Sequence, residues 1–205
     1  MRSDKIKSDL IAYYDADAQR RDASEKPPWK LKLREQFTRK VLGENKISLL
    51  ELGPGPGADS LFFMQNGLSV VAVDLSAEMI GRCRAKGIDA LEMDFYNITK
   101  LNRTFDCVWA LNTLLHVPAS ELEGVLRGID ACLAPNGLFF MGVYGGRDEE
   151  TYLVTDVAEN PRFYSFYALD TLKTALSNVF DILSAEEMDP GGTLRFQAVL
   201  MRKQE

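Results

Sequence analysis

Histidine is nearly missing from this chain: His116 is the single one among 205 residues, which excludes a multi-histidine metal cage. Cysteine is scarce too. Cys83, Cys107 and Cys132 are odd in number, and each falls inside an expected helix or strand, where a thiol serves as a small buried hydrophobe in a reducing compartment. Neither a metal site nor a disulfide is expected. Basic residues are outnumbered, with 24 Lys and Arg against 30 Asp and Glu, a net charge of −6. Phosphate backbones are held by Lys and Arg clusters that this chain lacks, so nucleic acid is not expected as a partner. No apolar run approaches the roughly 20 residues that span a bilayer. Met1 to Lys5 lead into a charged segment rather than an apolar signal core. The expectation is a cytoplasmic protein without membrane contact.

The remaining composition is ordinary for a globular chain, 46% hydrophobic and 26% charged, and a core of useful size can be buried without disulfides or metals. One domain over residues 1–205 is expected. Its centre is the stretch from Ile47 to Ser60. A short apolar run ending at Leu52 reads as a buried strand, Gly53, Gly55 and Gly57 as a tight turn, and Ala58 to Gln65, closed by Gly67, as a helix. Gly53-x-Gly55-x-x-Ala58 fits the dinucleotide fingerprint. Asp74 follows about 20 residues on, at the end of the strand Ser69 to Val73, as that fingerprint asks of its ribose-binding acid.

The neighbours of the glycines choose among nucleotide ligands. A pyrophosphate needs backbone N–H donors at the turn, and Pro54 and Pro56 have none to give. Glu51 would repel a phosphate but suits a ligand carrying an ammonium group. Glu51-Leu-Gly53-Pro-Gly55-Pro-Gly57 resembles motif I of the class I S-adenosylmethionine-dependent methyltransferases, strongly over residues 45–145 and by topology elsewhere. The resemblance implies S-adenosylmethionine as cofactor, with Asp74 and Leu75 at its ribose, Met79 nearby, and Asp94-Phe95 as the adenine-binding loop. It also places Ala110, Leu111 and Asn112, at the end of a fourth strand, beside the methionine and sulfonium end.

The fold expected is a doubly wound α/β domain with a seven-stranded, mostly parallel sheet and a C-terminal antiparallel hairpin. Residues 1–44 are expected as a helical lid, 45–145 as the cofactor-binding core, 146–168 as an irregular substrate-side insertion, and 169–205 as a helix and hairpin. Helices are expected over Asp4 to Arg20 and from Pro27-Pro28 onward. Ser120-Glu121-Leu122-Glu123 reads as a capping box, and Leu138 to Tyr144 as the fifth strand. Tyr13, Tyr14, Arg147, Arg162 and Tyr164 are the candidate substrate-lining residues. His116 is the candidate general base, the work imidazole does well near neutral pH, against a structural role as a loop-holding hydrogen bonder.

Together these imply methyl transfer to an oxygen, nitrogen or sulfur of a small molecule, by a monomer or homodimer. The turn after Ala110 lacks the Asn-Pro-Pro-Tyr-like motif of methyltransferases that act on nucleobase amines. The alternatives are a non-catalytic S-adenosylmethionine-binding protein and, less favoured by Glu51 and the two prolines, an NAD-dependent oxidoreductase.

Overall fold

The computed structural model describes residues 2–155 and 158–205. Two helices come first, α1 (Arg2–Asp22) and α2 (Pro28–Gly43). Strands and helices then alternate: β1 (Ser48–Leu52), α3 (Ala58–Gln65), β2 (Ser69–Asp74), α4 (Ala77–Ala85) and β3 (Asp89–Glu92). The chain continues through β4 (Phe105–Leu111), α5 (Ala119–Cys132), β5 (Leu133–Gly145), β6 (Glu149–Thr155) and β7 (Ala158–Phe166). It closes with α6 (Leu169–Ser177), β8 (Phe180–Met188) and β9 (Arg195–Lys203).

The main sheet has seven strands in the order β3-β2-β1-β4-β5-β9-β8. The first five are parallel, and β9 slots antiparallel between β5 and β8. The apolar runs explain the parallel part, because strands covered on both faces need apolar residues at every position. Leu49, Leu50 and Leu52 of β1 and Cys107 to Ala110 of β4 are all fully buried. Their side chains alternate between two cores. Leu50, Leu52, Val108 and Ala110 pack with α5 and α6, while Leu49, Cys107 and Trp109 pack with α2 and α3.

Three sequence expectations are corrected. The capping box does not form, because Pro118 takes the N-cap position of α5 and leaves Ser120 inside the helix. Glu150 of β6 supplies the cap instead, accepting from the Ala119 N–H at 2.7 Å. The fifth strand starts earlier, at Leu133. Pairing jumps from Phe105↔Leu133 to Cys107↔Leu138, so the Pro135-Asn136-Gly137 turn becomes a bulge within the strand. The insertion is not irregular: β6 and β7 pair as an antiparallel hairpin in a sheet of their own. Its residues 156 and 157, like Met1, lie outside the described residues. The cause is a period of two, which sends Phe163 to one face, against Ile6 and Leu10 of α1, and stacks Tyr164 on Phe166 on the other.

Helix α2 is held by Leu33, Phe37 and Val41. The Phe37 ring is 3% exposed and lies 5.0 Å from Trp109 and 5.8 Å from Phe140, centroid to centroid. Removing it leaves a cavity that stacked aromatics cannot collapse into, so Phe37→Ala is expected to cost about 3–5 kcal/mol. Urea unfolding checks this, and a loss below about 1 kcal/mol would show that α2 is not packed as described.

Candidate active site

The turn after β1 shapes one side of a cavity of about 680 Å³ at the carboxyl ends of the parallel strands. Gly53 has φ +66°, and a Cβ there would overlap Thr113 Oγ1 at 2.2 Å, so both its conformation and its neighbour exclude a side chain. That neighbour is held in place, since Thr113 Oγ1 donates to the Leu52 carbonyl at 2.9 Å. Gly55, at φ +55°, has nothing within 4 Å of where its Cβ would be: it leaves space that a ligand can use.

Asp74 ends β2 in the same wall. Burial pushes its carboxyl up to about 6, against the opposing pull of the N–H groups of Ser76, Gly55 and Leu75. The N–H of Ser76 is 3.0 Å away, while Ser76 Oγ itself accepts from Met79 N to cap α4. Leu75, Met79 and Phe95 add apolar and aromatic surface next to Asp74. Across the cleft, Leu111 and Asn112 line the end of β4. Asn112 is held at φ +57°, its N–H donates to Gly142 at 2.7 Å, and its Oδ1 is buried without a hydrogen-bond partner.

Helix α1 and the hairpin roof the cavity. Ile6 and Leu10 pack on Phe163, tying helix and hairpin together. Polar latches tie the helix to the strand ends. Asp15 accepts from Ser76 Oγ at 2.5 Å, Asp22 pairs with Arg82 at 3.0 Å and Lys86 at 2.5 Å, and Lys7 pairs with Asp94 at 2.6 Å. Lys86 also donates to the Pro56 carbonyl in the glycine turn.

Tyr14, His116, Arg162 and Tyr164 face the cavity beneath this roof. His116 Nδ1 is 2.6 Å from the Phe163 carbonyl, which can only accept, so Nδ1 carries the hydrogen. Nε2 is then an acceptor, and the Tyr14 hydroxyl donates to it at 2.7 Å. Burial pushes the imidazole down to about 3. Both ring nitrogens are engaged, so the site has a neutral histidine that holds the Phe163 carbonyl and fixes the Tyr14 phenol, the geometry of the hydrogen-bonding role weighed beside the general base.

Other expected site residues stand outside the cavity wall. The buried Glu51 carboxylate accepts from Ser60 Oγ behind the turn. Burial pushes its carboxyl well above the usual range, and the charge of Asp59 adds to the effect. Gly57 caps α3 and packs on Cys83 and Ile88, and Ala110 belongs to the core. Asp94 is occupied by Lys7 and by the Tyr96 N–H at 3.0 Å. Tyr13 is buried under the Arg162 guanidinium, 4.0 Å from ring centroid to Cζ. Arg147 pairs with Glu149 at 2.5 Å and is half exposed. Lys30 is among the wall residues that sequence reasoning missed. Lys30 lies 5.0 Å from the Tyr144 ring and 5.1 Å from that of Trp29, and burial pushes its ammonium down to about 8. Only its place beside Trp29 could have drawn notice.

The depressed imidazole links to stability. His116 stays neutral in the fold while the unfolded chain protonates near pH 6.5, so stability falls as pH drops from about 6.5 toward about 3. The slope from this group is at most about 1.4 kcal/mol per pH unit. Urea unfolding between pH 7 and pH 5 should show this slope flattened in His116→Gln, and an equal slope in both proteins would contradict the assignment.

A family model described as a methyltransferase domain matches residues 20–179. The C-methyltransferase NovU of Streptomyces niveus is 27% identical over 154 residues, covering 67% of this chain and 34% of NovU. The chain spans between about a third and about half the length of the curated relatives it matches. A solved 1,6-didemethyltoxoflavin-N1-methyltransferase of Burkholderia thailandensis, with bound 1,6-didemethyltoxoflavin and S-adenosylhomocysteine, has TM-score 0.75 and 20% identity. The match covers 100% of this chain and 90% of that one. DhpI in complex with SAH has TM-score 0.77 and 24% identity, over 97% of each chain. The family match covers more than half of the sequence, and the sheet order and glycine turn agree with it: the chain belongs to the class I S-adenosylmethionine-dependent methyltransferases.

Proposed function

We propose that the protein transfers a methyl group from S-adenosylmethionine to an oxygen, nitrogen or sulfur atom of a small molecule inside this roofed cavity. One observation carries the reading: Asp74, the open turn at Gly55 and, across the cleft, the unpartnered Oδ1 of Asn112 line one cavity. The residues present fit the cofactor. Asp74 offers a carboxylate to paired ribose hydroxyls, and Leu75, Met79 and Phe95 offer an apolar and aromatic surface to adenine. Asn112 Oδ1 offers an acceptor to the ammonium group, and Lys30 a cation to the carboxylate.

When bound, the cofactor supplies an already activated methyl group on a cationic sulfur, so the protein's part is positioning and exclusion of water. The phenol of Tyr14, oriented by His116 and accepting from Arg162, holds the guanidinium on the acceptor side. Arg162 and Tyr164 complete that side. Asp94 would meet the adenine amine only after releasing Lys7, which couples the adenine loop to the position of α1. A volume of about 680 Å³ sits in the range of small-molecule pockets, roughly 300–1,000 Å³, and the roof and net charge of −6 favour a small acceptor over a polyanion.

Calorimetry with S-adenosylhomocysteine and NAD tests this directly. S-adenosylhomocysteine is expected to bind and NAD to show no heat, since Pro54 and Pro56 cannot donate to a pyrophosphate. Accepting the ribose hydroxyls requires the carboxylate form of Asp74. Affinity is therefore full above about pH 6 and falls by about tenfold per unit below it. Asp74→Asn should weaken binding by about tenfold or more at neutral pH and remove this pH dependence. Tight NAD binding with no response to the sulfur compound would overturn the proposal.

A further inference from the structure

Among the described residues, five cationic side chains stand in the cavity wall, and three of them have carboxylate partners. Arg21 pairs with Asp17 at 2.8 Å, Lys26 with Asp59 at 2.5 Å and Lys86 with Asp22 at 2.5 Å. Arg162 and Lys30 have no carboxylate in ion-pair range among the described residues. The Arg162 guanidinium lies 4.0 Å from the Tyr13 ring centroid and 5.3 Å from that of Tyr164. Aromatic faces hold its plane without accepting its in-plane hydrogens, and the Tyr14 hydroxyl oxygen takes one hydrogen of the guanidinium. Its Nε is buried and has no hydrogen-bond partner. A buried guanidinium donor without an acceptor is unfavourable, and the group that relieves it best is an oxyanion able to take the fork of N–H groups.

The cofactor brings one anion, its own carboxylate, and the wall has two unpaired cations. Lys30, on α2, stands apart from the hairpin. Arg162, on β7, shares its strand with Tyr164 and its neighbourhood with Tyr14 and His116, the residues on the acceptor side. We propose that the methyl acceptor carries an oxyanion, a carboxylate or a phosphate-type group, seated on Arg162. This names the substrate class of the proposed methyl-transfer site and rests on that reading.

The test titrates acetate and inorganic phosphate into the protein, with and without S-adenosylhomocysteine, at ionic strength held constant with chloride. At least one of the two is expected to raise the melting temperature, and the one that does identifies the oxyanion. Arg162→Met should abolish the rise while leaving the S-adenosylhomocysteine Kd within about twofold. If that variant fails to fold, Arg162→Lys keeps a charge without the fork and should weaken the response severalfold. A wild-type protein that responds to neither anion, or a response undiminished in the variants, overturns the proposal. So does a roughly tenfold loss of S-adenosylhomocysteine affinity in Arg162→Met, which would give the guanidinium to the cofactor's carboxylate. Should the wild type not bind S-adenosylhomocysteine while the anion response still depends on Arg162, the methyl-transfer reading fails and the anion site stands.

Discussion

Everything about the site depends on one topological constraint, the reversal of strand order at β1. The chain leaves β1 through α3 to reach β2 on one side, then crosses back to β4 on the other. The loops that leave β1 and β4 therefore diverge, and a cleft has to open at their carboxyl ends. Backbone hydrogen bonds set its edges. Gly53 N–H donates to Val73 at 2.9 Å, Asn112 N–H to Gly142 at 2.7 Å, and Thr113 Oγ1 closes the gap between the two loops. The glycine turn is then a local answer to a global demand, since only a residue without Cβ can pass under Thr113.

The roof obeys a different physics. Helix α1 and the hairpin are joined by apolar packing of Ile6, Leu10 and Phe163, but the helix meets the strand ends through partly exposed ion pairs at Lys7 and Asp22. Such pairs contribute about 0–1 kcal/mol each and weaken in salt. Helix and hairpin thus form one apolar unit on polar latches, an arrangement that suits a cover needing to open for a ligand. The latch at Asp94 uses a carboxylate of the adenine-side loop, so closing the roof without a ligand occupies a group the ligand could use.

The sequence was legible where local chemistry and global topology agree. The run ending at Leu52, the glycine turn, Ser76 capping α4 and the placement of Asp74 all follow from short-range signals, and the seven-stranded sheet follows from their repetition. The capping box at Ser120 failed because Pro118 takes the N-cap position, and Glu150, 30 residues on from Ser120, caps the helix from another element. The hairpin was read as irregular although Phe163, Tyr164 and Phe166 carried a period of two. His116 stood between a general base and a loop-holding hydrogen bonder because a sequence gives residue types and not partners. Its partners are the Phe163 carbonyl and the Tyr14 hydroxyl, both distant in the chain. Glu51 was read as facing the ligand for the same reason, while its partner Ser60 lies inside the following helix. Lys30 gave no periodic signal at all, because its position depends on how α2 packs.

The central claim is that the methyl donor lies with its reactive end between the β4 turn and the Tyr14 phenol. Nuclear Overhauser contacts from S-adenosylmethionine carrying a 13C-labelled methyl group test it most directly. The account predicts contacts from the bound methyl protons to the ring protons of Tyr14 and to the side-chain amide of Asn112. Contacts confined to residues outside this cavity, or no bound methyl resonance at saturating ligand, would contradict it.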